Sequence, residues 1–305
     1  MFIDKKKENK NDYLQFKKEI VKTLKDRLKD LGRVELYQVN KNNGVFLEAL
    51  TIKVDGENIS PSFYLDDFYN LYLQGHTTAG LAEVIYLNWE SHRIKEGIDT
   101  SFFSDFAKIR PFICYRLIHY QRNEEMLKEH PHIKMMDLAM VFYYRVPKEI
   151  LEGANVLVRK SDIKRWGISR EELLKIANEN TPGQMPYKIV AMDDFLMGKV
   201  EWEERIDYLK TESSMYILSN KEQFYGAAAI FYPNLLKNIS HYFKTNLYIL
   251  PSSIHETILI PDREEYSKAD LENMVREVNK TQLSREEILS DKVYYYDSKT
   301  EKLRN

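Results

Sequence analysis

The spacing of apolar residues changes period several times along the chain, and each change predicts an element. Over residues 13–31, Leu14, Ile20, Val21, Leu24, Leu28 and Leu31 recur at helical spacing with Lys and Asp between them. That is the pattern of an amphipathic helix, and Gly32 reads as its stop. Two strands follow, 34–40 and 45–54, joined through Lys41-Asn42-Asn43-Gly44. Asn-Gly is a hairpin signal because both residues tolerate positive φ. A third short strand is predicted over 59–65, then helices over 66–74 and 78–96, the second capped by Thr77 or Thr78 and ended by Gly97. The aromatic-rich stretch 100–130 fits helix and strand equally. Residues 138–144 are apolar on both faces, as a central strand is, and 155–158 read as a further short strand. Ser169-Arg170-Glu171-Glu172 has the capping-box spacing. It opens a predicted helix to about residue 177, after which Thr181-Pro182-Gly183 is expected to break the chain.

Residues 199–211 are charged and read as a helix at a seam between two lobes. Beyond them, 215–218 and 227–232 read as strands, and Pro233 opens a helix to about 243. Strands over 247–250 and 257–260, a helix over 268–279 capped by Ser267, a shorter helix over 284–289 and a last strand over 293–296 complete the pattern. The succession predicts an α+β fold of two closely packed lobes, residues 12–198 and 212–297, with mixed or antiparallel sheets and flanking helices. Residues 1–11 and 298–305 read as frayed tails.

Composition narrows the class. Hydrophobic residues make up 43% and charged residues 30% of 305 positions, so a packed core is expected. Cys114 is the one cysteine; it excludes an intrachain disulfide, and its apolar neighbours Ile113 and Tyr115 suit a buried thiol better than a nucleophile. No run approaches the ~20 apolar residues of a membrane span, and the first residues lack a signal-peptide pattern, so the expected setting is cytoplasmic with no membrane contact. Net charge is −2, yet residues 1–33 hold eleven Lys/Arg against six Asp/Glu. Lys17, Lys18, Lys22, Lys25 and Lys29 read as a solvated helix face, and nucleic acid is an unlikely partner. Tyrosine is abundant, at 21 residues, and suits wet clefts and partner surfaces.

Candidate chemistry concentrates in Pro251-Ser252-Ser253-Ile254-His255-Glu256-Thr257-Ile258-Leu259-Ile260-Pro261. Ordinary core strands do not carry two serines, a histidine, a glutamate and a threonine, so these groups need partners or a role. In an extended chain Ser253, His255, Thr257 and Leu259 share one face, and Ile254, Glu256, Ile258 and Ile260 the other. Glu256 then needs a cationic partner, protonation or a bulge that re-aims it. Ser253, His255 and Glu256 are the catalytic candidates, as nucleophile, base and orienter. Same-face neighbours lie roughly 6.6 Å apart on a strand, so a Ser253–His255 dyad needs a local distortion. Otherwise the block is a structural corner in which Ser252 and Ser253 bond backbone groups and Glu256 forms a salt bridge.

Glu129-His130-Pro131-His132 with Asp137 is the second cluster, and His132 and Asp137 are its metal-ligand candidates, although no fixed spacing supports a metal and no cofactor is expected. Phe63, Tyr64, Phe68, Tyr69 and Tyr72 form an aromatic run that is either core or a stacking surface. Trp89, Trp166 and Trp202 are scattered. There is no dinucleotide fingerprint, P-loop, Gly-x-Ser-x-Gly elbow or calcium loop, and His255-Glu256 lacks the second histidine of a helix-borne zinc motif.

Several blocks together resemble an uncharacterised family of proteins of similar length from clostridia and related gut Firmicutes. They are Lys41-Asn42-Asn43-Gly44-Val45, Leu50-Thr51-Ile52, Asn58-Ile59-Ser60-Pro61, Tyr64-Leu65, Pro131-His132, Asp137-Leu138-Ala139, Asn180-Thr181, Tyr216-Ile217-Leu218-Ser219-Asn220, Gly226-Ala227-Ala228 and Pro251-Ser252-Ser253-Ile254-His255-Glu256. The resemblance implies no activity; it implies a loose association with mobile-element cargo, in defence or counter-defence. The residues themselves leave two readings open. One is a binding or interaction protein that meets a protein partner or small ligand through Ser252, Ser253, His255, Tyr64 and Asn180. The other is a hydrolase or metal-assisted enzyme centred on Ser253, His255 and Glu256. Oligomeric state is not legible.

Overall fold

The computed structural model describes residues 9–199, 203, 205–209, 212–263 and 265–305. Residues 1–8 of the expected tail, Trp202 and much of the expected 199–211 helix lie outside that set. The chain divides into two compact units, Met1–Lys41 with Val45–Thr100, and Asn42–Gly44 with Ser101–Asn305. The expected seam at 199–211 falls inside the second unit, where Glu203 pairs with Ile189 in an antiparallel bridge.

In the first unit, helix α1 (Lys10–Leu28) buries Tyr13, Phe16, Ile20, Leu24 and Leu28. Leu14 and Leu31 are 37% and 44% exposed, so the core stripe keeps Ile20, Leu24 and Leu28 as expected but begins at Tyr13 and Phe16 instead of Leu14. The helix ends at Lys29, whose φ of 51° is left-handed, before Gly32 is reached. Gly32 serves close approach instead: a Cβ there would stand 2.8 Å from the Lys53 carbonyl oxygen. Strands β1 (Arg33–Asn40) and β2 (Phe46–Lys53) pair antiparallel, and β3 (Ser62–Tyr64) pairs with β2. Helices α2 (Leu65–Leu73) and α3 (Thr78–His92) complete the unit, with Thr77 capping Gly80 N–H at 3.2 Å. The aromatic run is core: Tyr69 is 1% exposed and donates to Asp12 at 2.9 Å, and Phe63 meets Phe68 edge-on.

The second unit holds two antiparallel sheets. One is formed by β4 (Ile113–His119), β5 (His132–Met135), β6 (Leu138–Arg145) and β7 (Asn155–Leu157), with β6 pairing all three others. The other has the order β13-β12-β10-β11-β9-β8, where β8 is Tyr187–Ala191, β9 Tyr216–Asn220, β10 Leu247–Leu250, β11 Thr257–Pro261, β12 Tyr294–Asp297 and β13 Lys302–Arg304. One face of each sheet meets the main core: Tyr115, Leu117, Met140 and Phe142 from the first, Leu218, Ile249, Leu259 and Tyr294 from the second. Helices α4 (Arg170–Gln184) and α5 (Leu235–Phe243) contribute Ile176 and Ile239 to the same cluster. On its far face the six-stranded sheet packs Leu250 and Ile260 against Leu271 and Val275 of α6 (Lys268–Thr281), which Ser267 caps as predicted. The fold is α+β, with antiparallel sheets throughout the described residues.

Four expectations are corrected. The stretch 227–232 is a short 3-10 turn (Gly226–Phe231), not a strand; a short apolar run buried on all sides carries no period to tell the two apart. Helix α4 runs through Thr181-Pro182-Gly183, because Pro182 removes a single N–H while Thr181 donates to Ala177 O at 2.6 Å and accepts from Tyr115 N at 3.2 Å. Residues 284–289 are not a helix. Their carbonyls are engaged elsewhere, Glu286 by Asn42, Arg285 and Ile288 by Asn43, and Glu287 by Ile254 N. Finally, 298–305 is not frayed, since β13 pairs Tyr295 with Arg304. The ambiguous 100–130 resolves into short helical turns on either side of β4.

Leu24 is fully buried and Leu14 is not. Leu24→Ala is expected to cost about 2–5 kcal/mol and Leu14→Ala less than about 0.5 kcal/mol in urea unfolding. Equal losses would contradict the burial pattern of α1.

Candidate functional site

Three blocks that are far apart in sequence meet at the end of β9. Asn220 arranges the loop that follows it: its side-chain oxygen accepts from Glu222 N at 3.1 Å and Phe224 N at 3.2 Å, and its amide donates to Phe224 O at 2.7 Å. The loop ends with Tyr225 at φ 56°, a conformation that a bulky residue adopts only when its surroundings hold it there. Gly226 follows because nothing larger fits; a Cβ there would lie 2.2 Å from Ser219 Oγ and 2.5 Å from the His255 carbonyl oxygen.

The 251–256 block packs into that space as a turn. Extended structure begins only at Thr257, so the expected alternation holds for 257–260 and fails before it. Ser219 donates to His255 O at 2.8 Å, Ser253 Oγ accepts from His255 N at 2.9 Å, and Ser253 N donates to Glu256 O at 3.1 Å. The His255 ring accepts from Tyr225 N through Nδ1 at 3.3 Å, so its neutral form carries the proton on Nε2. Burial pushes the His255 pKa down, Glu287 opposes the shift and Arg116 adds to it. Glu256 has no ion-pair partner among the described residues. Burial raises its pKa, opposed by the Ser252 hydroxyl at 3.2 Å.

Over this turn lies a stack of planar groups. The Tyr225 and His255 rings are parallel within 5° at 5.9 Å, and Phe224 stands 5.6 Å from His255. Arg116, from the middle of β4, places its guanidinium carbon 4.4 Å from the centre of the Tyr225 ring, and Tyr143 meets the same ring edge-on at 5.7 Å. A cleft of about 710 Å³ shares Tyr143 and Phe224 with the stack and is further lined by Phe112, Met185 and the Arg145–Glu222 ion pair.

The remaining candidates sit elsewhere. Asn180, on α4, donates to Arg110 O and Ile113 O at 2.8 and 3.1 Å. Tyr64, in the first unit, accepts from Lys41 Nζ at 2.7 Å. His132 Nδ1 bonds His130 O, and Asp137 accepts from Ser290 and Tyr294 at 2.6 and 2.8 Å, with His119 Nε2 4.0 Å away. Among the described residues no three His, Cys, Asp or Glu side chains are grouped to hold a metal ion. Burial pushes the Cys114 thiol up to about 11. Thus Ser252, Ser253, His255 and Glu256 come together, while Asn180, His132 and Asp137 of the same unit have other partners and Tyr64 belongs to the first unit. Sequence reasoning missed Arg116, Tyr143, Phe224 and Tyr225. The Ser219-Asn220 and Gly226 blocks flank the loop carrying the last two, but Arg116 has no such signal.

An α+β chain with this arrangement is matched over residues 13–298 by the family of unknown function DUF5688, and it belongs to that family. No curated protein and no solved structure matches it. No helix of the described residues is long and apolar enough to cross a membrane.

The raised Glu256 pKa carries a sign. Stability owed to its protonated form is fully present below the unfolded value and is lost as pH rises through the folded one. Glu256→Gln keeps an acceptor for Ser252 and cannot ionise, so at pH 7 it is expected to match or exceed the wild type in urea unfolding. The difference should shrink towards pH 4. His255, whose depressed pKa lowers stability as pH falls below about 6.5, acts on both proteins alike. A large loss at pH 7 would mean that Glu256 has a cationic partner.

Proposed function

We propose that this chain is a binding protein that engages a protein partner or small ligand through Arg116, Tyr225, Phe224 and His255, next to a cleft that Phe224 and Tyr143 also line. The observation that carries the reading is Arg116. Its guanidinium lies on an aromatic face and forms no hydrogen bond or ion pair with any described residue, and its Nε is buried. A partly buried cation without a counter-charge among the described residues is costly, and a ligand that supplies one gains what they leave unsatisfied. A Tyr225–Arg116 stack also matches the composition of binding hot spots.

Support for hydrolysis is weaker. Ser253 is 6% exposed, and its hydroxyl accepts a backbone N–H. His255 spends Nδ1 on Tyr225, so this serine and this ring do not make the nucleophile–base hydrogen bond that covalent catalysis requires. A cytoplasmic setting belongs to the proposal. A mobile-element, defence or counter-defence context rests on the family resemblance alone.

Native mass spectrometry of the protein purified gently from its host tests the reading. The wild type is expected to carry a stoichiometric ligand or partner that Arg116→Gln and Tyr225→Ala, still folded, fail to retain. Equal retention by all three would overturn it, as would substrate turnover that Glu256→Gln abolishes without unfolding the protein.

A further inference from the structure

Arg116 occupies the centre of a built surface. On the β4–β6–β5 ladder it is in register with Val141, which in turn pairs with His132, so the three side chains share one sheet face. Its charge reaches three neighbours from three elements: it helps to depress the pKa of His130 and of His255, and it opposes the rise of Tyr143. The carboxylates that act on these histidines are Glu287 on His255 and Glu129 on His130. Neither forms an ion pair with Arg116, and Glu287 already accepts from the Ser284 backbone and hydroxyl.

Stacking settles how a ligand would meet the guanidinium. Tyr225 covers one of its faces and Nε is buried without a partner, which leaves the two Nη groups, with no hydrogen-bond partner among the described residues, as the donors at the edge of the guanidinium plane. Such an edge fits two oxygens of one group and is the usual geometry for a carboxylate or phosphate. Two further donors belong to the same stack, in which the Tyr225 ring lies against both the Arg116 guanidinium and the His255 ring. His255 presents Nε2–H, because Nδ1 is occupied by Tyr225 N, and neither that nitrogen nor the Tyr225 hydroxyl has a hydrogen-bond partner among the described residues.

We propose that the edge of the Arg116 guanidinium holds an oxyanion of the ligand, a carboxylate or a phosphate group, flanked by His255 Nε2–H and the Tyr225 hydroxyl. The assignment rests on the binding reading above and names the chemistry of its ligand.

The test is side-chain NMR of His255 and His130 in the full chain, titrated with inorganic phosphate and, separately, with succinate at constant ionic strength, against a chloride control. A bound oxyanion offsets the Arg116 charge, so both histidines are expected to shift saturably and to titrate at higher pH. The anion that saturates first identifies the group. Arg116→Gln should abolish the response, and Arg116→Lys, which keeps the charge but loses the fork, should weaken it about tenfold or more. If neither anion exceeds chloride, or if Arg116→Gln responds like the wild type, the oxyanion assignment is overturned. If that happens while the host-derived ligand or partner is still lost from Arg116→Gln, the binding reading stands without it; if that loss is also absent, both fall.

Discussion

The hydrogen bond from Ser219 to the His255 carbonyl, made across a gap that Gly226 leaves open, is the contact on which the site depends. It joins the end of β9 to a turn that has no ladder of its own. Buried backbone groups outside regular structure need partners, and this turn finds them in side chains: Ser219 for His255 O and Ser253 for His255 N. With the turn held, the imidazole meets the Tyr225 amide, and Tyr225 is kept in a left-handed conformation with its ring against Arg116. Fastening and presentation are therefore one structure.

The same solution recurs nearby. The segment 284–291 has no regular structure, and Asn42, Asn43 and Ile254 take its carbonyls while Asp137 takes the Ser290 hydroxyl. Asn43 also accepts from Asn123, whose amide further donates to His119 O. Buried polar networks specify one arrangement among many compact ones. Here such networks, in which Asn42 Oδ1 alone of the Asn42 and Asn43 side-chain atoms has no partner, account for polar blocks that look anomalous in an apolar context, Asn42-Asn43-Gly44 and Ser252-Ser253 above all.

Legibility in the sequence followed the physics of each segment. Elements governed by a period and a cap could be read: α3 and α6 with their Thr77 and Ser267 caps, β6 with apolar residues on both faces, β10 and most of β11. Segments governed by long-range side-chain bonds could not. Residues 284–289 look helical until their carbonyls are seen to be occupied, and Pro182 looks like a break until Thr181 is seen to bridge the turn around it. The 251–256 block stood out as anomalous, but its meaning did not. Of the three outcomes open to Glu256, a cationic partner, protonation or a re-aimed turn, the described residues supply no cation and bond it to Ser252. Arg116 was invisible because one arginine in the otherwise buried strand 113–119 carries no sign that it lacks a counter-charge among the described residues; that is a property of the neighbours the fold brings.

The central claim is that His255 is locked by the Tyr225 amide and offers Nε2–H outward. The most direct measurement is the tautomer of His255, read from long-range ¹H–¹⁵N correlations of its ring at neutral pH. The account predicts an unprotonated Nδ1 and a protonated Nε2. A ring protonated on Nδ1 would break the link from the Ser253 turn through Tyr225 to Arg116, and with it the account of the site.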